Sequence, residues 1–200
     1  SSVSAFAYNK LLISPDFMIR DGFLTKSELD TLPEFPNGQI DYLSVINNKI
    51  RILHLAYSRF KAYPNKGNYH NFQSENAHWL DDFAFFVALK ECFRDKAWIE
   101  WPKNLRDRQP ESLETFKKQL HDRIEMEKFF QYIAHSQWYS LKNYCNQKGI
   151  RIIGDIPIYV NFDSVDVWKH PELFKLDKEK RQVTIAGVPP DYFSKTGQRW

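Results

Sequence analysis

The chain has 200 residues, 42% of them hydrophobic and 16% aromatic, and 28 basic against 25 acidic residues give it a net charge of +3. That content excludes a disordered chain, suffices for a sizeable core, and lacks the dense positive footprint of a nucleic-acid binder. The apolar runs are short and broken by charge, so no membrane span is expected, and the opening SSVSAFAYNK lacks the basic start and apolar core of a signal peptide.

SPDFMIRDG predicts a short helix opened by Ser14, with Pro15 at its first position and Gly22 past its end. TKSEL places Glu28 three residues after Thr25, the spacing of a capping box. After a loop punctuated by Pro33 and Pro36, Leu43, Ile46, Ile50, Leu53, Tyr57 and Phe60 follow one helical stripe between Asp41 and Tyr63, and the run Asn65 to Asn68 ends it. NAHWLDDFAFFVALKECF is apolar over most of a helix circumference and is expected to be buried on several sides. Trp98 and Trp101-Pro102 mark an irregular stretch. Pro110-Glu111 then opens a long helix, with Leu113, Phe116, Leu120 and Ile124 on one stripe, which a break can interrupt before Gly149 stops it.

Strand character begins after Gly149. IRIIGDIPIYV is rich in β-branched residues, and a long helix feeding such a strand through glycine is the grammar of an α/β fold. Ser164 to His170 reads as a short helix, and LFKLDKEKRQVTIAG as a hairpin around the solvated turn DKEK. One convincing core strand cannot satisfy its own backbone groups, so further strands are expected outside these 200 residues.

Familiar catalytic patterns are missing. Neither G-x-x-x-x-G-K-[ST] nor G-x-G-x-x-G occurs, nor do G-x-S-x-G or H-E-x-x-H. The six histidines form no helical i, i+4 pair, so no metal site is expected, and no organic cofactor. Cys92 and Cys145 belong to no C-x-x-C pair and read as partly buried free thiols in reducing surroundings. Asp155 interrupts the strand near its C-terminal end, where α/β folds place ligands, and Pro157 ends the ladder because it has no N–H. A turn-capping role fits Asp155 equally well. The last block, AGVPPDYFSKTGQRW, stiffens a loop with Pro189-Pro190 and sets Asp191, Gln198 and the flat faces of Tyr192, Phe193 and Trp200 together. That mixture suits a sugar, with its apolar C–H faces and hydroxyl rim; aromatics that simply pack on the core fit the composition too.

GIRIIGDIPIYVNFDSVDVWKHPELF and TIAGVPPDYFSKTGQRW closely resemble the 4-α-glucanotransferases, also called amylomaltases or disproportionating enzymes. The resemblance extends back through QWYSLKNYCNQKG, WLDDFAFFVALKE and WPKNLRDR to SSVSAFAYNKLLIS. Two departures stand out: Ala7-Tyr8-Asn9-Lys10 where the family often has Ala-Gly-Asn-Pro, and His135 in a segment often more apolar or arginine-bearing. The resemblance implies part of a (β/α)₈ TIM-type barrel with helical insertions, this segment being predominantly helical. Residues 1–149 would supply insertion and barrel helices, residues 150–200 a barrel strand and a substrate-covering loop, and neither a complete independent domain. It also implies transfer of α-1,4-glucan segments between maltooligosaccharides in the cytoplasm or a plastid. Asp155, Asp191, Tyr192, Phe193, Gln198 and Trp200 match its sugar-binding positions. The nucleophile is implied to lie in an Arg-x-Asp-His segment, which does not occur in these residues, so the chain is expected to be an interior fragment without its own catalytic pair. A related α-glucan hydrolase, a non-catalytic glucan-binding chain and one half of a split enzyme are the competing expectations.

Overall fold

A computed structural model describes residues 3–33, 38–64, 66–155 and 158–199. Its helices in chain order are α1 (Pro15–Arg20), α2 (Lys26–Leu29), α3 (Tyr42–Lys61), α4 (Gly67–Cys92), α5 (Lys103–Arg106), α6 (Pro110–Gln119), α7 (His121–Gln147) and α8 (Val165–Lys169). Strands β1 (Gly187–Val188) and β2 (Gln198–Arg199) form the sheet found among the described residues. The chain divides into two compact units, one of Tyr8–Leu80 with Glu125–Ile153, the other of Ser1–Ala7, Asp81–Ile124 and Gly154–Trp200. No helix among the described residues is long and apolar enough to cross a membrane.

The unit containing α1, α2 and α3 is built on aromatic packing. Phe129 of α7 is fully buried and stacks on Phe60 of α3 at 4.4 Å between ring centroids, while Phe23 meets both edge-on at 5.5 and 5.9 Å. Both are favoured geometries for ring quadrupoles. The predicted stripe of α3 is realised in its second half only. Leu53, Tyr57 and Phe60 are buried, whereas Leu43 is 74% exposed, because the buried cluster takes residues of α3 from Ile52 onward.

The irregular N-terminal segment lies against this core with its backbone satisfied by helix side chains. The amide of Gln131 accepts from the Tyr8 N–H at 2.8 Å and donates to the Tyr8 carbonyl at 3.1 Å. Gln137, almost two helical turns on, does the same to Ser14 at 2.7 and 3.0 Å. Ser14 caps α1 by position, but its side chain makes no cap bond. The Lys49 ammonium donates to the Ile13 carbonyl, and Arg59 donates to the Phe23 carbonyl while holding both oxygens of Glu28. The capping box of α2 is present, and with Arg59 first and the Thr25 N–H second it holds the Glu28 carboxyl down to about 2.

The two departures from the family pattern meet here. The Tyr8 hydroxyl lies 3.2 Å from Nδ1 of His135, whose ring packs against Phe72 and Tyr139 at 4.9 and 4.4 Å between centroids. Lys10 pairs with the buried Glu127. Burial lowers the His135 pKa, against a smaller upward pull from Glu75.

In the other unit the expected all-round burial of α4 is realised over one turn, where Phe83, Ala84, Phe85 and Phe86 are consecutive and all buried, while Ala77, His78 and Asp81 of the same apolar run are exposed. Trp168 of α8 has no exposed surface, packs among Phe85, Phe86 and Trp101, and donates its indole N–H to the Leu105 carbonyl at 3.1 Å. The Lys90 ammonium, 9% exposed as a residue, donates to the carbonyls of Asp95 and Lys96 and to Asp163 Oδ2 at 2.7, 3.0 and 2.6 Å. Asp163 Oδ1 accepts the Trp98 N–H at 3.1 Å, and the Trp98 indole donates to the Phe162 carbonyl at 2.7 Å. Burial raises the Asp82 pKa, but hydrogen bonds from Lys169 and Arg108 outweigh it and the net direction is down.

The expected break in the long helix falls at Leu120, between α6 and α7, and Gly149 ends the run at φ +72°. The charged turn is present: Leu176 bridges Gln182 in antiparallel fashion, and Asp177 Oδ1 accepts the N–H groups of Glu179 and Arg181. Both cysteines are free, but Cys92 is exposed, because it stands at the last turn of α4 beyond the packed part of that helix. The strand expected from Arg151 does not form. Residues 151–155 join no sheet and are exposed, Ile153 at 94%. A strand is stable only with a ladder to pair with, and the described residues hold no third strand to provide one. Pro157 lies outside the described residues.

Removing the Lys90 charge leaves Asp163 Oδ2 without its cation and takes a donor from the carbonyls of Asp95 and Lys96. Lys90→Met is therefore expected to destabilise the chain by about 3 kcal/mol in urea unfolding, and an unchanged midpoint would refute the role assigned to the ammonium. For His135 the unfolded imidazole protonates near its ordinary 6.5 and the folded one only at lower pH, so acidification below 6.5 favours the unfolded chain. His135→Phe is expected to flatten the fall of the unfolding midpoint as the pH drops below 6.5.

Candidate substrate-binding hairpin

The most unusual block of the sequence folds as one hairpin. Strands β1 and β2 pair antiparallel, Gly187 with Arg199 and Val188 with Gln198, and residues 189–197 connect them. Pro189-Pro190 opens the connection and reduces the freedom it loses on ordering. Asp191 then organises the tip: its Oδ1 accepts the N–H groups of Phe193 and Ser194 at 2.9 and 2.7 Å, and its own N–H reaches the Ser194 carbonyl at 2.9 Å. Ser194 Oγ donates to the Gly197 carbonyl at 2.7 Å. Gly197 is required there: its φ is +72°, and an added Cβ would stand 2.4 Å from the Val188 carbonyl oxygen.

This framework displays Tyr192 and Phe193 to solvent. They are 95% and 89% exposed and meet edge to face at 5.5 Å between centroids. Two adjacent aromatics this bare on a turn held by its own hydrogen bonds are a candidate binding face, since burial on a ligand would stabilise each ring by about 2 kcal/mol. A shallow cavity of about 450 Å³ at the hairpin strands is lined by Val183, Ile185, Gly187, Val188, Gln198 and Arg199.

The hairpin therefore unites Asp191, Tyr192, Phe193 and Gln198. Asp155 is exposed on a different segment, the one that lacks sheet partners, and Trp200 lies outside the described residues. Asp191 Oδ1 is spent on the backbone of its own turn. Sequence reasoning missed Ser194 and Gly197, which lock the loop, although an aspartate followed by a serine three residues on and a late glycine is a turn signal. Asp191→Ala is expected to speed amide exchange at Phe193 and Ser194 at least about tenfold, the loss of roughly 1.5 kcal/mol per charged hydrogen bond, with Asp191→Asn restoring much of the protection.

A protein-family model described as 4-alpha-glucanotransferase matches residues 1–200. A curated 4-alpha-glucanotransferase of Thermus thermophilus is 41% identical over 202 residues, covering all of this chain and 40% of that protein. The 4-alpha-glucanotransferase of Solanum tuberosum, termed chloroplastic/amyloplastic, is 33% identical, covering 96% of this chain and 34% of its own length. An amylomaltase from Streptococcus agalactiae solved in complex with acarbose superposes with a TM-score of 0.93 at 39% identity, covering the whole of this chain and 41% of that one. The chain thus spans about two fifths of the length of the relatives it matches. With the match running the full length of the sequence and the aromatic hairpin within it, the chain belongs to the 4-alpha-glucanotransferase family.

Proposed function

We propose that the protein to which these residues belong is a 4-α-glucanotransferase, moving α-1,4-glucan segments between maltooligosaccharides. The observation that carries the reading is the hairpin: two almost fully exposed aromatic rings beside a carboxylate and an amide, in a member of this family. The acarbose complex of the amylomaltase relative supports an oligosaccharide ligand. The reaction is a retaining double displacement. A carboxylate attacks the anomeric carbon while a second carboxyl group protonates the departing glycosidic oxygen. The same residue, now a base, then takes the proton from an acceptor sugar hydroxyl, which displaces the carboxylate. Asp155, Asp191, Tyr192, Phe193, Gln198 and Trp200 are assigned to sugar binding, and the two catalytic carboxylates to segments other than this one. Tyr192 and Phe193 stack on acceptor-side rings, so that a sugar hydroxyl rather than water resolves the intermediate.

The same reading gives residues 151–160 a place as a barrel strand in a (β/α)₈ barrel with helical insertions. Support comes from apolar side chains of this segment that face solvent: Ile153 and Ile158 are 94% and 84% exposed. We assign the protein to the cytoplasm or, as the name of the potato relative suggests, a plastid.

In the full-length protein, Tyr192→Ala combined with Phe193→Ala is expected to reduce kcat/KM for maltotriose at least about tenfold, some 1.4 kcal/mol, and to raise hydrolysis relative to transfer. An unchanged ratio would remove the hairpin from the acceptor side. The 200-residue chain alone, incubated with maltotriose, is expected to form neither glucose nor longer maltodextrins. A product ladder that survived repurification would move the catalytic carboxylates into these residues.

A further inference from the structure

The helical unit holds a cleft of about 390 Å³ that the hairpin does not share, within the size range of small-molecule sites. Its floor is aromatic and rigid, with Phe23 and Phe60 at 7% and 4% exposure as part of the core. Tyr63, 39% exposed and packed at 5.4 Å on Phe23, and the half-buried Tyr132 give it two further ring surfaces. Polar groups of three kinds line the same cleft: the carboxylate of Asp21, the amide of Asn68 and the hydroxyl of Ser136. Burial raises the Tyr132 phenol pKa, a hydrogen bond with Ser136 pulls it back, and the charge of Asp21 adds to the rise.

This composition selects among ligands. The charges at the cleft are already engaged: Asp21 Oδ1 accepts from Arg20 Nε at 2.9 Å, and the Lys66 ammonium donates to the Lys61 carbonyl at 2.9 Å and lies 5.1 Å from the Phe60 ring centre, which favours a neutral ligand. A wholly apolar ligand would take water from the remaining carboxylate oxygen and the amide without replacing its hydrogen bonds. A neutral polyhydroxylated ring satisfies both, with C–H faces on Tyr63 and Tyr132 and hydroxyls donating to Asp21 and exchanging hydrogen bonds with Asn68 and Ser136. We propose that this cleft is a second sugar-binding site, remote from the hairpin in sequence and independent of it, that takes one or two glucosyl units of an α-glucan. The choice of α-glucan among sugars rests on the function proposed above; the choice of a sugar does not.

The test uses the full-length protein carrying Tyr192→Ala and Phe193→Ala, which removes the rings of the hairpin. Maltotriose, cellobiose and inorganic phosphate are titrated in turn while the Asn68 side-chain amide and the Ser136 backbone amide are followed by NMR. Saturable shifts at both groups with maltotriose are expected, weakened at least tenfold by Tyr63→Ala. Asn68→Ala, at an exposed position, repeats the test without touching the packing of Phe23. No shift with either sugar, or shifts with phosphate alone, would overturn the site. Saturation by cellobiose but not maltotriose would retain a sugar site and overturn its assignment to α-glucan.

Discussion

Long helices that alternate with irregular segments have to satisfy the donors and acceptors of the irregular backbone, and here helix side chains do so. In one unit Gln131 and Gln137 each grip both backbone groups of a single residue, Tyr8 and Ser14, while Lys49 and Arg59 take the carbonyls of Ile13 and Phe23. In the other, Lys90 gathers two carbonyls and Asp163, and Asp163 passes the connection to Trp98. Each contact removes a desolvation cost of about 1–3 kcal/mol that an unpaired buried group would carry. The same contacts explain why segments without regular structure adopt one course: an amide that pairs with both the N–H and the carbonyl of one residue fixes the position and direction of the chain there.

A similar economy shapes the hairpin. Its ladder is only two residues long on each side, too short to persist on backbone pairing alone. Two prolines, the Asp191 cap, the Ser194 hydroxyl and the close approach at Gly197 supply the remainder. The result is a small rigid platform whose most apolar residues face water. Rigid rings lose little entropy when a ligand arrives, so a platform of this kind suits the binding role proposed for it. Asp191 organises the loop, since one of its oxygens is already committed to the backbone.

The pair formed by Tyr8 and His135 bears on how the family pattern is read. A tyrosine in place of a small residue needs space and a partner for its hydroxyl, and His135 supplies the partner from α7, 127 positions along the chain. Lys10 likewise finds Glu127. Neither pairing is legible in the sequence, because residues this far apart are brought together only by the packing of α7 on the N-terminal segment.

Local chemistry alone determined a good deal of this protein. The capping box at Thr25, the glycine stops after α1 and α7, the break near Leu120 and the charged turn at Asp177 follow from interactions within a few residues, so periodicity and turn chemistry suffice to find them. The resemblance that located the substrate-covering loop rests on a block of contiguous residues for the same reason, whereas its closure as a two-stranded hairpin appears only in the structure. Only the tertiary structure decided where α3 begins to bury its stripe, which oxygen of Asp191 is spent on the turn, and that IRIIGD has no ladder among the described residues. Those outcomes depend on partners distant in sequence: a helical stripe needs a facing core, an exposed ring needs a loop locked beneath it, and a strand needs a neighbouring strand to hydrogen-bond with.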